Sequence, residues 1–424
     1  MGKLASWIAL AAWGAGVVSG EGLHDLAVQS GRMLFFGTAT DVGQFNDLEY
    51  TAILNATGEF GIVVPENSMK WQATEPKQNQ FTLENADAVM ARAKGNGQKL
   101  RCHTLTWHSQ LPEFVSAGKW TRETLTAVIE THISHVVGHF KGDCYSWDVV
   151  NEALADNGTL RDSVFSRTLG RDFIPISFRA AAAADPGAKL YYNDFSLEFN
   201  SAKTDGAVGI VRDLQAEGVR IDGLGFQGHL EVGKTPSQKL LSTVLGRFTD
   251  LGLEVALTEL DIRCAEVPAS EEALQQQAKD YAGVVQTCVD HDKCVGVVVW
   301  QFTDKYSWIP DTFPGTGDAC LWDNAMQPKP AYAAVSKVLQ KAVAKAAAAG
   351  GSGNGTSKAA SPPPPPPPVG AEAGTGADNG VSAAAVSQPP SASGAVRIGP
   401  LSSSGGIAAA LLASWALAAC WQVL

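Results

Sequence analysis

Two glutamates close short, largely apolar runs: Glu152 follows Trp147-Asp148-Val149-Val150, and Glu259 follows Val255-Ala256-Leu257. Two carboxyl groups facing each other are what cleavage of a glycosidic bond requires. One protonates the leaving oxygen; the other attacks the anomeric carbon or activates water. Either glutamate alone reads equally well as a surface charge or as the first residue of a helix. Their company argues otherwise. Glu66, His103 with Trp107, Asn151, Asn193 with Asp194, Gln227 with His229, Asp261 and Trp300 also lie at or near the ends of strand-like runs.

Those runs recur along the middle of the chain: Leu34–Thr38, Gly61–Val64, Leu100–Thr106, Cys144–Val150, Lys189–Asn193, Ile221–Phe226, Glu254–Leu260 and Gly296–Phe302. Helical segments separate them, most clearly Phe81–Lys94 and Thr121–Gly138. Alternating strand and helix predicts an α/β fold with a parallel sheet. Eight such units favour a closed (β/α)₈ barrel over an open sheet. A barrel gathers the C-terminal ends of all its strands on one face, which is where these polar residues fall.

With 43 acidic against 32 basic residues, a net charge of −11 argues against a nucleic-acid partner, which needs a basic face. Residues 1–20 read as a secretory signal, with Lys3 ahead of an apolar stretch and Val18-Ser19-Gly20 as a cleavage site. The catalytic barrel is expected over residues 21–345. Residues 346–406 are rich in Ala, Gly, Ser and Pro, hold the run Pro362–Pro368, and read as a disordered stalk and spacer. Ile407–Leu424 is apolar and uncharged, long enough for a membrane span, but no basic segment follows it. Small residues at Ser393-Gly394-Ala395, a spacer and this tail form a glycosylphosphatidylinositol signal, with Ser393 as the expected attachment residue and the tail removed. Sequons at Asn55, Asn157 and Asn354 fit a secreted, cell-surface glycoprotein.

Trp147–Glu152 (WDVVNE) and Leu257–Asp261 (LTELD) resemble the two catalytic motifs of glycoside hydrolase family 10, the endo-β-1,4-xylanases. Glu66–Trp71 (ENSMKW), His103–Pro112 (HTLTWHSQLP), Gly225–Leu230 (GFQGHL) and Trp300–Trp308 (WQFTDKYSW) are similar to its other motifs, in the same order. The resemblance implies retaining hydrolysis of xylan, with Glu259 as nucleophile and Glu152 as acid/base. Asn151, His229 and Asp261 would support them. It implies sugar contacts from Glu66, Asn67 and Lys70 on the non-reducing side. His103, Trp107 and Gln110 would line the cleavage subsite, with Gln227, Trp300 and Trp308 also in the cleft. It further implies a monomer that acts on xylan and xylo-oligosaccharides without cofactor or metal. Glu152 must start protonated, so burial and the charge of Glu259 are expected to raise its pKa. One departure stands out: the family pattern Asn-Asp-Tyr-Asn is here Asn193-Asp194-Phe195-Ser196, which removes a hydroxyl from the leaving-group side. A β-1,4-glucanase or mixed-specificity glycanase, and a non-catalytic polysaccharide-binding surface protein, are the alternative readings.

Of seven cysteines, Cys420 lies in the tail. Related fungal enzymes imply a bridge between Cys288 and Cys294, and Cys102 and Cys144 begin neighbouring strands. Cys264 with Cys320 completes this scheme, although other connectivities remain open. Two patterns are lures. Gly223–Gly228 (GLGFQG) matches a dinucleotide fingerprint but opens no clear helix. His132, His135 and His139 share a helical face away from the expected mouth, and read as packing or solvated residues rather than metal ligands.

Overall fold

The computed structural model describes residues 21–351. Strands β1 (Phe35–Thr40), β2 (Ile62–Pro65), β3 (Lys99–Trp107), β4 (Cys144–Asn151), β5 (Lys189–Asp194), β6 (Gly223–Phe226), β8 (Glu254–Arg263) and β9 (Cys294–Val299) correspond to the eight expected runs. All neighbours are parallel, β1 pairs with β9, and β6 pairs with both β5 and β8, which closes the barrel. Near-continuous apolar runs such as Val297-Val298-Val299 suit strands covered on both faces.

One strand was not expected. β7 (His229–Glu231) lies outside the barrel ring and pairs with the far end of β8, setting His229 opposite Asp261. Three residues with no apolar alternation leave too little signal to distinguish a strand from a loop.

The barrel's interior accounts for the dinucleotide lure. A Cβ on Gly223 would come within 2.3 Å of the Tyr191 ring, and one on Gly225 within 2.1 Å of Asn193 Oδ1. The glycines thin the wall so that large and polar side chains of β5 fit inside. The expected helices form as Glu84–Asn96 and Arg122–His139, the second capped by Thr121. On these elements the three histidines go separate ways. His132 is buried on Trp71 at a ring distance of 3.9 Å, His135 stacks on Phe81, and His139 pairs with Asp87. The last helix, Pro330–Gly351, runs past the expected boundary at residue 345, because the run Ala346–Ala349 has the highest helix propensity of any residue type.

Two disulfides form, Cys102–Cys144 and Cys288–Cys294, with Cα separations of 5.8 and 5.2 Å. The expected Cys264–Cys320 bridge does not; both are buried free thiols. Cys264 exchanges backbone hydrogen bonds with Gly317, and the Ile262 N–H donates to the Ala319 carbonyl. That antiparallel register sets Cys320 level with Asp261, three residues from Cys264. Three residues of extended chain is roughly 10 Å, beyond the ~7 Å a disulfide spans. Cys264 Sγ instead lies 3.9 Å from the Asp318 carbonyl oxygen and from the Gln277 amide nitrogen.

Candidate active site

Glu259 and Asp261 are two apart on β8 and so share a face of the strand. His229 bridges them from β7, its Nδ1 3.0 Å from Asp261 Oδ2 and its Nε2 3.3 Å from Glu259 Oε2. Burial works against a charge on His229, but Asp261 and Glu259 outweigh it and lift its pKa to about 10. It is therefore an imidazolium near neutrality, donating to both carboxylates. The other oxygen, Glu259 Oε1, accepts from Asn193 Nδ2 at 2.7 Å. Asn193 is held in turn by the Thr258 hydroxyl, which donates to its Oδ1 at 2.6 Å.

Glu152 sits just past β4 with φ +54°, a left-handed backbone that a non-glycine residue adopts at a cost and that marks functional sites. Its N–H donates to the Asn193 carbonyl, and its Oε1 accepts from Gln227 Nε2 at 3.0 Å. A run of amides thereby joins the two carboxyl groups. The Asn151 side-chain amide lies between them, 3.3 Å from Gln227 Nε2 and 2.9 Å from Asn193 Nδ2.

The expected rise in the Glu152 pKa is not found. Burial is the largest influence and pushes it up, but the charge of His108, hydrogen bonds from Gln227 and Trp107, and Lys203 together bring it below the ordinary glutamate value. His108 shares a small buried space with Glu152, and burial pushes its own pKa down. The two therefore compete for one proton, and His108 lowers the Glu152 pKa only while it holds that proton. Neither His108 nor Lys203 stood out in the sequence, because their approach to Glu152 depends on how distant segments pack.

On the other side of the mouth, Lys70 Nζ donates to Gln110 Oε1 at 2.6 Å and to Asn67 Oδ1 at 3.1 Å, and lies 4.9 Å from the Trp107 ring centre. Glu66 is buried, which pushes its pKa up to about 7. Asp41, which the sequence did not mark, accepts from the Asn67 and Ser68 N–H groups and holds this loop. His103 Nδ1 is 3.0 Å from Asp148 Oδ2 and 4.0 Å from Glu259 Oε1. Asp148 is itself ion-paired to Arg101 inside the barrel. Trp300 meets His103 edge-on at 5.3 Å. Trp308 lies 4.8 Å from His229 and donates its indole N–H to Asp261 Oδ2 at 2.8 Å. Every expected catalytic and sugar-contact residue thus lies in one connected cluster at the mouth.

Phe195, in place of the expected tyrosine, carries Lys203 Nζ 3.2 Å from its ring centre, and that lysine pairs with Asp194 at 2.9 Å. Asn55 and Asn157 are exposed. Asn157 Oδ1 accepts from both the N–H and the hydroxyl of Thr159. Asn354 and Ser393 lie outside the described residues. Among the described residues there is no group of three or more side chains able to hold a metal ion, and no helix long and apolar enough to cross a membrane.

The family model for glycosyl hydrolase family 10 matches residues 22–338. Endo-1,4-beta-xylanase 5 of Pyricularia oryzae is 62% identical over 331 residues, covering 78% of this chain and 82% of its own. Endo-1,4-beta-xylanase 1 of Humicola insolens is 57% identical over 318 residues, covering 75% and 74%. Among solved structures, the Penicillium canescens endo-1,4-beta-xylanase XylE superposes with a TM-score of 0.73 at 40% identity, over 76% of this chain and 98% of its own. Xylanase 10B of Thermotoga petrophila, solved with xylobiose, gives 0.73 at 37% identity, over 77% and 100%. A match that runs the length of the barrel, with relatives more than half identical, makes the chain a member of glycosyl hydrolase family 10.

Proposed function

We propose that the chain is a retaining endo-β-1,4-xylanase that cleaves internal bonds of xylan by double displacement. The observation that carries this reading is the pair of unlike carboxyl groups. Glu259 is gripped by a cationic His229 and by Asn193, while Glu152 is joined to it through amides. In the first step Glu152 gives its proton to the glycosidic oxygen as Glu259 attacks the anomeric carbon. The C–O bond breaks and a glycosyl ester forms on Glu259. In the second, Glu152 takes a proton from water, the oxygen bonds to the same carbon, and Glu259 leaves as a carboxylate. Retention needs the two groups roughly 5–5.5 Å apart. The charge on His229 favours the departing carboxylate in the second step. A bound sugar chain excludes water from the mouth and strengthens burial, the influence that favours the acid form of Glu152.

Glu66, Asn67 and Lys70 receive the sugars on the non-reducing side, and His103, Trp107 and Gln110 receive the one being cleaved. Asn151 meets its 2-hydroxyl, a contact that tightens in the transition state. Trp300 and Trp308 wall the cleft with rigid rings, which accept the flat C–H faces of xylose and disfavour an exocyclic hydroxymethyl group. Reducing-sugar release from xylan and from carboxymethyl cellulose, measured side by side, tests the substrate. A faster rate on the cellulose would overturn it. The Glu259→Ala variant is expected to lose activity on xylan; retained activity would overturn the mechanism.

The same reading has residues 1–20 directing secretion, residues 21–345 as the enzyme, 346–406 as stalk and spacer and 407–424 as the apolar tail, with everything after Ser393 exchanged for a lipid on that residue. Release of activity from the cell surface by a phosphatidylinositol-specific phospholipase tests the tether, and activity that stays with the membrane after treatment would count against it.

A further inference from the structure

Gln301 follows Trp300 at the mouth end of β9, is wholly buried, and has φ +67°. Glycine adopts that conformation freely, whereas a glutamine is strained in it, and such strain persists where the surroundings hold a side chain in place for a purpose. The amide is engaged at both ends. Its Oε1 accepts the Tyr50 O–H at 3.1 Å, and its Nε2 donates to Glu66 Oε2 at 3.2 Å. The Tyr50 oxygen also lies 2.8 Å from Thr40 Oγ1, at the end of β1. A carboxylate can only accept, so Glu66 takes the amide N–H, and the tyrosine hydroxyl, able to donate or accept, adapts by donating to Oε1. Glu66 thus accepts a buried N–H on Oε2 and keeps only 7% of its surface open. The double displacement makes no use of Gln301.

We propose that Gln301 is a positioning residue for sugar recognition on the non-reducing side: it fixes the Glu66 carboxylate so that one oxygen is presented to the sugar beyond the one being cleaved. This rests on Glu66 being a sugar contact, as argued above. Affinity for that second sugar is then set from the eighth barrel strand, which only β1 separates from β2, the strand that leads to Glu66.

The test compares nitrophenyl β-xylobioside, which fills two sites on the non-reducing side, with nitrophenyl β-xyloside, which fills one. Gln301→Gly deletes the amide and relieves the backbone, so the chain can keep its fold, and turnover of the xyloside reports an intact mouth. The expected result is a loss of about tenfold in kcat/KM on the xylobioside, carried by KM, and a much smaller loss on the xyloside. Glu66→Ala should give the same bias, and the double variant should be no worse than Glu66→Ala, because Gln301 acts through Glu66. Equal losses on both substrates, or additive losses in the double variant, would overturn the proposal. If Glu66→Ala shows the bias and Gln301→Gly does not, the proposal alone falls. If Glu66→Ala shows none, the sugar-contact reading of Glu66 falls with it.

Discussion

At the scale of single residues, the charge on His229 is the electrostatic centre of the nucleophile's surroundings. Replacing it by glutamine keeps a donor near Glu259 but removes the charge, and kcat should fall by about a hundredfold on xylan. Titration has a defined sign. The pKa of His229 rises from 6.5 to about 10 on folding, so the folded chain holds the proton more tightly. Its contribution to stability is complete below about pH 6.5 and is lost as pH climbs through about 10. Thermal midpoints measured between pH 6 and 10 should therefore fall more steeply in the wild type than in His229→Gln. Phe195 belongs to the same scale. Restoring the hydroxyl with Phe195→Tyr should lower KM for long xylo-oligosaccharides, and unchanged kinetics would show that no leaving-side contact was lost. Burial and Glu259 are influences on Glu152 that local sequence makes legible, whereas His108 and Lys203, which pull its pKa the other way, reach it only through tertiary packing.

At the scale of elements, β6 and the short β7 do the positioning. Gly225 leaves room for the Asn193 side chain, which orients Glu259. Gly225→Ala would drive a methyl into that amide and into the Thr258 methyl at 2.9 Å. Loss of at least tenfold in kcat, with a thermal midpoint several degrees lower, is the expected outcome in turnover and unfolding assays. The eight barrel strands were legible because buried parallel strands are apolar runs with polar ends. β7 was not, since its reason for existing is the register that sets His229 against Asp261. The glycines of β6 were visible as a pattern, but only the neighbours on β5 explain them.

At the scale of the whole molecule, two disulfides and two buried thiols make a countable prediction. Ellman's reagent should find no reactive thiol in native residues 21–351 and two after denaturation, where the expected third bridge would have left none. The two disulfides are unequal. Cys102–Cys144 closes a separation of 42 residues and Cys288–Cys294 one of 6. In the loop-entropy model these amount to about 4 and about 2 kcal/mol, so Cys102→Ser with Cys144→Ser should lower the denaturation midpoint more than the other pair of substitutions.

The amino-acid sequence by itself determined the barrel, the order of its strands and which polar residues end them, because burial imposes an apolar pattern on the strands and leaves chemistry at their ends. It also singled out Glu152 and Glu259 through the motifs around them. Tertiary structure alone decided the rest: His229 charged between two carboxylates, Asn193 and Gln301 bracing Glu259 and Glu66, and Cys264 out of reach of Cys320. Each of these depends on a distance between residues far apart in the chain. Local pattern carries no such distance, whereas Coulombic and hydrogen-bond energies depend on little else.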